Sequence, residues 1–119
     1  MNDMFVVEAG RRVQEITGSP GSSINPLSGS STNGTTDLTS ANTWYAVPST
    51  IPTSPYVLVA TLENSAGTVR WGFSNSGTPS ATNGNQAPSQ LTVKLAANQV
   101  VYFASSTAGD DVNWTTKEI

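Results

Sequence analysis

From Trp44 to the C-terminus, apolar residues recur at every second position in short runs cut by Gly, Pro, Asn and Ser. A period of two marks a strand with one buried face, and the frequent turn residues leave no room for an amphipathic helix. Residues 68–74 alternate with Val69, Trp71 and Phe73 inward and Arg70 outward. Residues 90–95 alternate with Leu91, Val93 and Leu95 inward and Lys94 outward, and Val112 and Trp114 share one face of residues 111–116. Residues 56–62 are apolar on both faces, as a central strand requires. Residues 43–47 read as a strand stopped by Pro48, and 99–104 as another. Asn64-Ser65-Ala66-Gly67 has the chemistry of a hairpin turn. Turns are also expected at 96–98 and 105–110, with a polar loop at 75–89. Six or seven short strands and no helix predict an all-β fold, a small antiparallel β-sandwich or jelly-roll-like barrel.

The residues before Trp44 follow another pattern. Residues 1–16 carry five of the thirteen charges, whereas 17–43 carry only Asp37. That second stretch is mostly Ser, Thr, Gly, Asn and Pro, with Ile24, Leu27 and Leu38 too widely spaced to bury a face. It predicts a flexible polar coil, so the chain divides into an extended N-terminal arm, 1–43, and a β-domain, 44–119. At the far end of this tether lie Phe5, Val7, Val13 and Ile16, on segments readable as short strands or as one helical turn. These four, with Ile24, Leu27 and Leu38, are candidate docking residues. Trp44 and Tyr45 join them, because adjacent strand residues point to opposite faces and one of the pair must leave the core. A β-domain this small has a thin stability margin, and its edge strands carry few blocking charges, so association into a homo-oligomer is expected.

Composition excludes most chemistry. The chain has no cysteine and no histidine, which removes disulfides, thiol nucleophiles, thiolate metal sites and imidazole acid–base catalysis. The serines lack an activating base. Asp110 and Asp111 are the sole adjacent acidic pair. After Gly109 they read as a solvated turn, in preference to a calcium site, for which no EF-hand spacing exists. No enzymatic activity and no cofactor are expected. The net charge of −3, with five scattered cations, argues against nucleic acid. Apolar runs such as 57–60 are far too short to span a membrane, and the N-terminus lacks a signal-peptide core. Trp71 and Trp114 are read as core residues, so a sugar-stacking platform is the lesser alternative for the aromatics.

Gly67-Thr68-Val69-Arg70-Trp71-Gly72-Phe73, Gly77-Thr78-Pro79-Ser80-Ala81-Thr82-Asn83-Gly84 and Val112-Asn113-Trp114-Thr115 together resemble small β-domains encoded among the structural genes of tailed bacteriophages. The long N-terminal arm looks like that of capsid decoration (cement) proteins. The resemblance implies a virion structural protein at the capsid surface, synthesised in the host cytoplasm. Its partners would be the major capsid protein or other virion proteins, and its own copies as a dimer or trimer. Head-fibre, tail or baseplate modules and a glycan-binding module are the alternatives.

Overall fold

The computed structural model describes residues 29–63 and 65–119. Among them there is no helix; the elements are β1 (Ser31–Leu38), β2 (Tyr45–Val47), β3 (Tyr56–Glu63), β4 (Val69–Gly72), β5 (Asn85–Gln86), β6 (Gln90–Leu95), β7 (Val101–Ser105) and β8 (Asp110–Glu118). They form two four-stranded antiparallel sheets, in the orders β1-β8-β3-β6 and β2-β7-β4-β5. The expectation of an all-β, antiparallel chain is met, with eight strands where six or seven were expected.

The connections distinguish this fold from a stack of hairpins. β4 and β5 are the one pair of consecutive strands that are also neighbours in a sheet. Every other step along the chain crosses to the opposite sheet or skips a neighbour. The pairs β1–β8, β2–β7, β3–β6 and β4–β5 are all present, so each strand n pairs with strand 9 − n. Residues 31–118 thus form one long antiparallel double strand, folded over on itself. The hairpin turn expected at 64–67 does not join paired strands: β3 and β4 lie in different sheets, and residues 65–67 belong to the crossing between them. Their turn residues fit either role, because a chain reversal between sheets uses the same backbone conformations as one within a sheet.

Between the sheets lies one core. Leu38, Tyr56, Leu58 and Val112 from the first sheet meet Val47, Val101 and Phe103 from the second, all at 0–1% exposure. Burial of each such side chain contributes about 1.5–3 kcal/mol. Tyr56 buries its ring at the start of β3, and its hydroxyl donates to the Gln99 carbonyl. Trp114, Val112 and Leu95 face inward as expected, with Leu91 and Val93 packed on the rim of the core. Phe73 does not. β4 ends at Gly72, the alternation is broken there, and Phe73 stands 66% exposed with its ring edge-on to Trp71 at 5.3 Å.

β1 corrects the reading of residues 17–43 as coil. All eight of its residues pair with β8. Sparse apolar residues do not prevent this, because the ladder is made by backbone groups and the threonines suit an extended chain. Only Thr36 and Leu38 need to be buried, and both are. Gly34 serves the same end. It lies opposite Trp114, and a Cβ there would overlap the indole carbons. The indole thus lies over bare backbone, while its N–H donates to Thr36 Oγ1 at 3.1 Å. The folded β-domain therefore reaches back to Gly29, whose N–H donates to the Glu118 carbonyl at 3.2 Å.

Asp110 is a second correction. It was expected in a solvated turn, but it opens β8 at 2% exposure. Its carboxylate accepts from Ser105 Oγ at 2.5 Å, Ala66 N–H at 2.8 Å and Gly67 N–H at 3.2 Å. One carboxylate thereby ties the β3–β4 crossing to the β7–β8 crossing. Burial pushes its pKa up, but these three donors outweigh that and hold the carboxyl below its ordinary value.

Candidate interaction surfaces

Strand register decides what the outer face of the first sheet presents. Positions that alternate with the core residues fall into rows across β1, β8, β3 and β6. At one end the row is Asp37, Asp111 and Glu63. The next is Thr35, Asn113, Thr61 and Gln90, followed by Asn33, Thr115, Val59 and Thr92. The last row is Ser31, Lys117, Val57 and Lys94. Carboxylates therefore cluster at one end and ammonium groups at the other, about 20 Å apart at 3.4 Å per residue. Between them lies a depression of about 510 Å³ lined by the hydroxyls and amides of these rows together with Val59, Gly34 and Trp114. Thr35 Oγ1 donates to Asn113 Oδ1 at 2.7 Å, and Asn113 Nδ2 donates to Glu63 Oε1, so the centre of the face is cross-linked to its acidic end. Lys117 Nζ donates to the Gly29 carbonyl at 2.6 Å.

The outer face of the second sheet is partly roofed by the loop that follows β4. Trp44 holds that loop, its indole N–H donating to the Gly77 carbonyl at 3.0 Å. Gly84, at φ +112°, lets the indole approach where a Cβ would touch it. The 75–89 loop is more ordered than its composition suggests, since it contains β5 and a Ser80–Asn83 bridge. A smaller pocket of about 170 Å³ remains beneath it, lined by Arg70, Thr68, Ser80 and Ser106 among others.

The docking candidates are placed unevenly. Phe5, Val7, Val13, Ile16, Ile24 and Leu27 lie outside the described residues. Leu38 is fully buried, so it is a core residue and offers no docking surface. Tyr45 is half-buried against the core. Its hydroxyl lies 2.8 Å from Thr39 Oγ1 and accepts from Ser40 N–H at 3.0 Å, contacts that lower its pKa. Trp44 is half-buried under the loop it holds. The outward rows of the first sheet were missed, although the alternation that located Leu91, Val93 and Leu95 also places Gln90, Thr92 and Lys94 outside. What was lacking is the register that aligns Asp37, Asp111 and Glu63.

Among the described residues no group of three acidic side chains is arranged to hold a metal ion, and no helix is long and apolar enough to cross a membrane. Comparison with known protein families, with curated proteins and with solved structures finds no match to this chain.

Proposed function

We propose that the chain is a non-enzymatic structural protein of a bacteriophage particle, of the capsid decoration type, that stabilises the head by bridging capsid subunits. Strand order is the observation that carries this reading. A double strand in which β1 pairs with β8, β2 with β7, β3 with β6 and β4 with β5, folded into two sheets, has the form of a jelly roll. That architecture serves viral capsid and lectin domains. It makes a rigid body, while the residues before Gly29 supply a polar tether rich in Ser, Gly and Pro with apolar residues at its far end. Such a segment can order on a neighbour by adding main-chain hydrogen bonds to a sheet edge, and repetition over a lattice multiplies weak contacts. The absence of cysteine and histidine from the chain fits a part that binds and does not catalyse.

The test uses capsids of the virus that encodes the chain. Purified protein should co-sediment with them to a fixed stoichiometry, and trypsin should cleave after Arg11 and Arg12 in free protein but not on particles. Equal cleavage in both settings, or no co-sedimentation, would overturn the decoration reading. A head-fibre, tail or baseplate module would instead bind those parts of the particle. The depression on the first sheet supports a second reading, glycan recognition, because hydroxyl and amide side chains line it beside Val59 and Trp114. A glycan array that stays blank removes this alternative.

A further inference from the structure

Charge on the folded domain is concentrated and segregated. Residues 29–119 contain eight charged side chains, and five of them, Asp37, Glu63, Asp111, Lys94 and Lys117, lie on the outer face of the first sheet. The other three lie elsewhere: Arg70 on the second sheet, Asp110 in the interior, and Glu118 at an inward-phase position of β8. Like charges directly opposite each other on neighbouring strands destabilise a sheet. Asp37, Asp111 and Glu63 are opposed in this way across three strands, with no cation in their row. Departures from a local rule of this kind are expected where a surface meets something that compensates them.

From this we infer that the outer face of the first sheet pairs with the same face of a second copy of this chain, about a two-fold axis running across the strands. Such an axis reverses the strand direction of one copy relative to the other. It sets the acidic row of each copy against the lysine row of its partner and keeps β8 over β8, so that Lys117 faces Asp111 in both directions. An axis along the strands would oppose acid to acid and is excluded by the same register. The surface is self-complementary, as an isologous contact requires. Apart from Val59 and Gln90 its middle rows are short polar side chains, so sheets can approach to about 10 Å, and the depression becomes a water-filled seam. Four strands by about six residues present roughly 400 Å² per copy, below the size of a standard interface. Association is accordingly weak, and its strength lies in the charges.

This deepens the homo-oligomer part of the decoration reading and rests on that part alone, so it is tested on the purified full chain without capsids. Sedimentation velocity should show monomer–dimer exchange at about 0.05 M NaCl, weakened about tenfold or more at about 0.5 M because exposed pairs are screened. The Lys94→Glu/Lys117→Glu variant and the Asp37→Lys/Glu63→Lys/Asp111→Lys variant should each be monomeric, and an equimolar mixture should recover a heterodimer. If either multiple variant loses its fold by circular dichroism, Lys94→Glu alone, at an exposed position, decides the matter by a several-fold weakening. A parent chain that stays monomeric, a dimer indifferent to salt, or a dimer unchanged by Lys94→Glu would each overturn the inference. Capture by capsids of a chain that never self-associates would assign the face to a capsid protein instead.

Discussion

Gly34 and Trp114 show how one residue without a side chain makes an edge strand viable. The ring carbons of the indole lie against the backbone of β1 at Gly34, and its polar atom is satisfied by Thr36. Replacing Gly34 by Val puts two methyl groups where the ring now lies. The expected cost is about 1–3 kcal/mol, as for other overpacked sites, measurable as a lower urea midpoint with an unchanged slope. An unaltered midpoint would show that the ring moves freely. Asp110 acts at the same scale, joining two crossings that share no strand. Asp110→Asn removes the charge and turns an amide donor toward at least one existing donor, so a loss of about 2–4 kcal/mol is expected in the same assay.

At the scale of elements, the alternation of apolar residues made β4, β6 and β8 readable from spacing alone, and apolar β-rich runs did the same for β3 and β7. β1 was not readable in this way. Its inward-phase positions are Thr32, Gly34, Thr36 and Leu38, and the partner that gives them a face, β8, lies some eighty residues away. The inward placement expected of Phe73 failed for a related reason: the strand stops at Gly72, and nothing local marks where pairing ends. Asp110 eluded sequence reasoning because its donors come from residues 66, 67 and 105, brought together only by the crossings. The candidate surface was half legible, its residues but not their rows. Truncation separates the two parts of the old arm. A chain beginning at Ser28 should retain the cooperative unfolding transition, whereas one beginning at Thr39 should lose it, because β8 is left with an open edge and the core lacks Leu38. Cooperative unfolding of the shorter chain would restore 1–43 as a single arm.

For the whole molecule, two buried groups bound the range of pH in which the fold is firm. Asp110 has a lowered pKa, so its contribution is present above the carboxyl's ordinary value and is lost as pH falls through the folded one. Tyr56 is pushed up to about 12 by burial. Its folded form holds the proton more tightly than the unfolded chain, so stability is full below about pH 10 and declines as pH rises toward 12. A thermal-melt series should therefore show a broad plateau with falls at both ends. Asp110→Asn should flatten the acid fall, and Tyr56→Phe the alkaline one. A profile unchanged by both substitutions would place the limiting groups elsewhere.

The pairing of strand n with strand 9 − n also orders events in time. β8 is the last of the strands to be synthesised, yet it occupies the interior of its sheet, between β1 and β3. Until it is made, the first strand has no partner, and Leu38, Tyr56 and Leu58 have an incomplete wall to pack against. Most native contacts thus join early residues to late ones, the condition under which folding is slow and unpaired edges stay open longest. Folding of this domain should start only after β8 has left the ribosome, making the nascent chain a client for chaperones throughout its synthesis.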